Sequence, residues 1–244
     1  MSKIKFLTEV PTAYLDTLTP VIDGHFCIAS ECLKDEAYYN WYKANPPVML
    51  DNGMFEEGSP MDGNALLEVA KAVKPKLVWA PDQVGDMEAT LGMSIQFLMD
   101  SIVENHEHQV GFIPQGSSPT EIAVCYFKMA KILSEVYTNP IVGISFLNDR
   151  QAVIDEINSM GGFFPNVGLH FLGMYNLEEI AGWPKEVVSC DTIKPFKAAF
   201  YNYTLEECPR GLGKWSTDMV ISEVNHWLLY RNLSVMHTAL GGRK

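Results

Sequence analysis

Three aspartates leave short apolar runs of this sequence. Asp51 follows Val48–Leu50, Asp82 follows Leu77–Ala80 and Pro81, and Asp191 follows Val187–Cys190. Comparable runs end on other polar or small residues: Gln115-Gly116 after Val110–Pro114, Ser145 to Asn148 after Pro140–Gly143, and Gly173-Met174 after Gly168–Leu172. Carboxylates gathered at one place do nucleophilic and acid–base work. A carboxylate buried without a partner is costly, and a parallel sheet has no structural use for three of them at strand exits. Any one of these aspartates reads equally well as the N-cap of the next helix. All three together, with Gln115-Gly116 between them, read as a convergent site.

The elements that must position them follow one rhythm of strand, turn and amphipathic helix. Strands are expected at His25–Ser30, Val48–Leu50, Leu77–Ala80, Val110–Pro114, Ile141–Phe146, Gly168–Leu172 and Val187–Cys190. They are brief and apolar without alternation, as parallel strands buried on both faces are. Helices are expected near Glu31–Lys43, Asp62–Val73, Glu88–Glu104, Pro119–Tyr137 and Arg150–Met160. In the fourth, Ser118 is the expected N-cap, Pro119 opens the helix and Glu121 completes a capping box. Its apolar face is Ile122, Cys125, Met129, Ile132, Leu133 and Val136. A last helix is expected over about 216–231, capped by Ser216, with Val220, Val224, Trp227 and Leu228 inward. Such alternation without a linker predicts one α/β domain over residues 1–244. Polar residues at every strand's carboxyl end favour a closed (β/α)8 TIM-type barrel, whose active site is built there.

The 244 residues are 47% hydrophobic and 20% charged, with a net charge of −12. This excludes a disordered chain, a collagen-like repeat and a coiled coil. It also argues against a protein that coats nucleic acid non-specifically, though not against an enzyme with a local basic groove. The opening MSKIKFLTEVPTAYLD has no apolar core of a signal peptide, and no run approaches a membrane span. Cys27, Cys32, Cys125, Cys190 and Cys208 are odd in number and scattered. They read as reduced thiols of a cytoplasmic protein.

In order, VMLDNGMFEEG, VWAPDQVGD, GFIPQG, VGISFL, LHFLGM and SCDTIKP resemble the tRNA-guanine transglycosylase superfamily, most nearly its phage-borne deazapurine-in-DNA branch. The resemblance covers roughly Val48 to Phe196. It implies a (β/α) barrel that exchanges guanine in DNA for a 7-deazaguanine, such as 7-cyano-7-deazaguanine, in the cytoplasm of a phage host. Asp191 would be the nucleophile at the anomeric carbon and Asp51 the general acid/base. Asp82 would read the guanine edge, and Gln115, Gly116 and the backbone at Gly143 would hold the carbonyl side. Leu172, Gly173 and Met174 would pack on the base. The chemistry is consistent: an oxocarbenium-like centre suits a carboxylate that traps it, and a second acid must move protons. The base must also flip out of its stack. No metal or cofactor is required. The zinc cluster of the tRNA enzymes is absent, because only Cys208, His226 and His237 follow Asp191. Ile144-Ser145-Phe146-Leu147 replaces a glycine-rich turn. Both departures favour DNA over tRNA.

Lys194, Lys197, Arg210 and Lys214, with Arg243 and Lys244 at the tail, are expected to track a phosphate backbone, although Glu206 and Glu207 interrupt them. The charge then predicts an acidic exterior with a basic strip confined to the mouth near Asp191. His106-Glu107-His108 reads as a solvated helix end rather than a metal site. His170 reads equally as a satisfied core histidine or a substrate contact. Tyr38, Tyr39, Trp41 and Tyr42 read as packing rather than base stacking. The alternatives are a tRNA-guanine transglycosylase, a hydrolytic purine N-glycosidase and a non-catalytic subunit of a modification complex. A partner protein or a homo-oligomer remains open.

Overall fold

The computed structural model describes residues 4–174, 176–209 and 223–241. Eight parallel strands run in the order β5-β4-β3-β2-β1-β8-β7-β6. They are β1 (Lys5–Thr8), β2 (Gly24–Ile28), β3 (Met49–Asp51), β4 (Leu77–Trp79), β5 (Gln109–Gly111), β6 (Ile141–Ser145), β7 (Gly168–Leu172) and β8 (Val187–Asp191). A parallel bridge between Phe112 and Val142 joins β5 to β6, and the Gly143 N–H donates to Phe112 O at 2.8 Å. The sheet is therefore a nearly closed barrel with helices around it, as the strand-exit pattern predicts.

β1 is the strand that the sequence pattern does not announce. Its four residues begin and end on the polar Lys5 and Thr8. Its register with both β2 and β8 nevertheless joins the two halves of the barrel.

The period of two along each strand sorts side chains between two cores. Leu7, Phe26, Met49, Leu77, Trp79 and Ile113 fill the barrel interior. Phe6, Cys27, Leu50, Val78, Phe112 and Cys190 pack outward under the helices. Asp51 lies two residues after Met49 and so shares the interior face; by the same parity His170, Ser189 and Asp191 point inward. Trp79 occupies the centre. A Cβ at Gly143 would sit 2.7 Å from Leu172 and 3.1 Å from the Trp79 ring. Gly143 is small because the indole needs its space.

The helices are α1 (Leu15–Leu18), α2 (Ala29–Lys34), α3 (Glu36–Ala44), α4 (Met54–Glu57), α5 (Gly63–Val73), α6 (Met87–Val103), α7 (Pro119–Val136), α8 (Arg150–Ser159), α9 (Lys194–Phe200) and α10 (Glu223–Gly241). The helix expected over Glu31–Lys43 is two, because Asp35 is extended and accepts from Ala37 N and Tyr38 N. That side chain caps α3 and ends α2. Ser118 caps α7 as expected, but the Glu121 carboxylate reaches back to Ser117 rather than Ser118. β7 is followed only by a 3-10 turn, Glu178–Gly182.

The expected last helix differs most. Residues 216–222, with Ser216 and Val220, lie outside the described residues, as does the Val224 side chain, and the helix runs on to Gly241 rather than ending near 231. Its buried face is Asn225, Leu229, Asn232, Leu233, Met236 and Leu240, whereas Trp227 is 68% exposed. The inward expectation for Trp227 is therefore wrong. Asn232 decides the rotation: it accepts from Leu205 N at 2.8 Å and donates to Tyr203 O and Pro195 O. No helix among the described residues is long and apolar enough to cross a membrane.

Candidate active site

At the carboxyl ends of the strands lies a cavity of about 360 Å³ whose wall includes Asp51, Asp82, Gln115, Leu172, Gly173, Met174 and Asp191. Those expected site residues are thus brought together. Lys194 and Lys197, on α9 directly after Asp191, join the same wall. Gly116 and Gly143 do not. A Cβ at Gly116 would meet Glu121 Cβ at 2.7 Å, so Gly116 is where the loop presses against α7. The Gly143 N–H is spent on Phe112, which removes it as a donor to a base. Arg210, Lys214, Arg243 and Lys244 lie outside the described residues.

Each aspartate is held by different chemistry. Asp82 accepts from Asn52 Nδ2 at 2.7 Å and from Gln115 Nε2 at 2.6 Å. Burial lifts its carboxyl to about 6, and those two hydrogen bonds oppose the rise. Asn52 also donates to Ala80 O and accepts from Met54 N, both at 2.8 Å, which ties the β3 exit to the β4 exit. Asp51 accepts from Gly53 N at 2.8 Å. That turn needs a glycine, because Gly53 has φ +75° and a Cβ there would strike Ser30. Burial raises the Asp51 carboxyl well above its usual range, and Glu56, Asp82 and Asp191 add to this against the Gly53 N–H. Asp191 Oδ1 accepts from His170 Nε2 at 3.0 Å and from Gly173 N at 3.2 Å.

Two further carboxylates line the cavity: Glu9, just past β1, and Glu56 on α4. Burial, then the charges of Glu56, Asp191 and Asp51, push Glu9 well above the usual carboxylate range, with Lys197 opposing. Glu56 is lifted to about 7, chiefly by burial, and its Oε2 has no partner among the described residues. Among the described residues the cavity wall combines five carboxylates with two lysines, so this part of the mouth is neither a basic strip nor uniformly acidic. Glu9, Asp51, Glu56 and Asp82 are raised in pKa, which reduces the negative charge near neutral pH.

A buried arginine fixes the loops. Arg150, at the start of α8, donates to Leu172 O and Gly173 O, each at 2.9 Å, and pairs with Glu179 at 3.0 Å. It thereby braces the β7 exit, which has no regular helix behind it, and holds the Gly173 N–H against Asp191.

Glu9 escaped the sequence reading because β1 did. Arg150 and Glu56 carry no local signal. His170 was one of two readings, and strand parity was the signal that could have placed it. The aromatic cluster is packing, as expected, with Tyr38 and Tyr42 fully buried. His108 is buried against Ser101 at 3.1 Å rather than solvated, while His106 pairs with Glu104. Among the described residues no group of three or more His, Cys, Asp or Glu is arranged to hold a metal ion. No protein-family model matches the chain and no curated protein matches it.

Proposed function

We propose that this barrel is a base-exchange transglycosylase that replaces guanine in DNA with a 7-deazaguanine through a covalent aspartyl–sugar intermediate. The observation that carries the reading is the meeting of Asp51, Asp82 and Asp191 on one cavity wall, each in a different environment. Exchange of a base at a retained sugar needs three things: an acceptor pair for the guanine ring NH and exocyclic amine, a proton carrier and a nucleophile. Asp82, kept rigid by Asn52 and Gln115, has lone pairs left on both oxygens for the first task. Gln115 faces the base carbonyl, and Leu172, Gly173 and Met174 pack against the ring. Asp51, whose burial favours the protonated form, suits the second task. Asp191 suits the third, and its ester preserves the sugar while one base leaves and another enters. Lys194 and Lys197 stand beside Asp191, where the flanking phosphates of a flipped nucleotide would pass.

The test is incubation with DNA, RNA and labelled 7-cyano-7-deazaguanine over a range of salt. Label entering DNA supports the reading. Label entering RNA in preference selects the tRNA-type enzyme, and guanine released without an added base selects a hydrolytic N-glycosidase. The absence of both label and free guanine would sink it.

A further inference from the structure

His170 and Ser189 sit opposite each other in the register of β7 and β8. The His170 ring is wholly buried. It lies parallel to Phe26, with centroids 5.8 Å and planes 6° apart, and meets Trp79 at 5.2 Å. These neighbours fix the plane of the ring, and two hydrogen bonds fix its rotation within that plane. Nδ1 is 2.8 Å from Ser189 Oγ and Nε2 is 3.0 Å from Asp191 Oδ1. A carboxylate only accepts, so Nε2 carries the hydrogen. The Gly173 N–H donates to the same Oδ1 at 3.2 Å. Both donors converge on one oxygen, and Asp191 Oδ2 has no hydrogen-bond partner among the described residues.

We infer that His170 is a positioning residue that turns Asp191 so that Oδ2, not Oδ1, bonds to the anomeric carbon. The inference rests on the transglycosylase reading of this site. In the first half-reaction Oδ2 gives an electron pair to the anomeric carbon as the bond to guanine nitrogen breaks. That bond's pair leaves with the base, which takes the proton held by Asp51. Oδ1 becomes the carbonyl oxygen of the ester and keeps both donors. In the second half the incoming base gives its ring proton to Asp51 and its nitrogen bonds the anomeric carbon. The pair of the carbon–Oδ2 bond then returns to Asp191 as carboxylate. Two fixed donors on Oδ1 stabilise that returning charge, so they assist discharge of the intermediate.

His170→Phe keeps an aromatic ring beside Phe26 and removes the donor. In the labelled-base assay kcat should fall about 10²-fold, the scale for losing one preorganised donor, with KM for the base within about threefold. The protein–DNA adduct, discharged by added base in the wild type, should persist in the variant. His170→Gln retains an N–H and should recover turnover to within about tenfold. Ser189→Ala frees the ring to rotate and should cost about three- to tenfold; it decides the matter together with His170→Gln if His170→Phe does not give a cooperative melt. Undiminished kcat in the folded phenylalanine variant, a loss confined to KM, no recovery with glutamine, or an unaffected Ser189→Ala would each overturn the inference. A wild type that exchanges no label with any polymer fails the transglycosylase reading instead.

Discussion

On one side of the cavity Asp82 takes hydrogen bonds from two amides, Asn52 and Gln115. On the other side Glu56 Oε2 has no hydrogen-bond partner among the described residues, and Glu9 is buried against the charges of Glu56, Asp191 and Asp51. The carboxylates differ in their surroundings rather than in their chemistry. A buried acid with two donors is held in one orientation as an acceptor, which suits reading a base edge. A buried acid that faces other acids and has an oxygen left without a donor favours its protonated form, which suits holding or passing a proton. Asp191 also has two donors, His170 and Gly173, but both fall on one oxygen.

The sharpest challenge to this contrast is Asp191→Ala. Under the proposed reaction it should lower exchange on the order of 10⁶-fold, as loss of a nucleophile does. Retained exchange would remove Asp191 from the chemistry. Asp82→Asn comes next. It sets an amide NH2 against one of two amide donors and takes an acceptor from the base. Exchange should fall on the order of 10²- to 10³-fold, and the protein should lose about 1–3 kcal/mol in chemical denaturation.

The pH dependence is smaller and separates binding from folding. Asp82 must be ionised to accept from guanine, so exchange should drop about tenfold from pH 7 to pH 5, through its value of about 6. Stability runs the other way. Asp82 and Glu56 have folded values of about 6 and about 7, above an unfolded value of about 4. The protonated forms therefore favour the folded state, and stability falls as pH rises from about 4 to 7. A denaturation series that rises across this window would contradict the assigned environments. The smallest effect is Glu9→Gln, which removes a buried acid whose charge Glu56, Asp191 and Asp51 disfavour. At pH 8 it should stabilise the protein by about 1 kcal/mol, the opposite sign to the same chemical change at Asp82. Equal signs for the two would dissolve the comparison.

Much of this site was legible before folding. Asp51, Asp82, Gln115 and Asp191 stand where apolar runs stop, and a strand exit is visible as the end of such a run. Glu9 was hidden because Lys5–Thr8 is too short and polar-ended to announce a strand. Gly143 was misread because its smallness answers to Trp79, 64 positions earlier in the chain. Trp227 was turned the wrong way because local spacing cannot weigh the buried hydrogen bonds of Asn232, which choose the docked face of α10.

The sequence by itself determined which residues end the strands and, through the period of two, that Asp51 shares the face of Met49 and Asp191 that of Ser189. Only the tertiary structure decided which acid received which donor. The bonds that differentiate the aspartates span 30 residues for Asn52–Asp82, 33 for Asp82–Gln115, 21 for His170–Asp191 and 18 for Gly173–Asp191. A carboxylate's ionisation and orientation depend on desolvation and on donors within about 3 Å. Closing the barrel brings those donors together from strands distant in the chain.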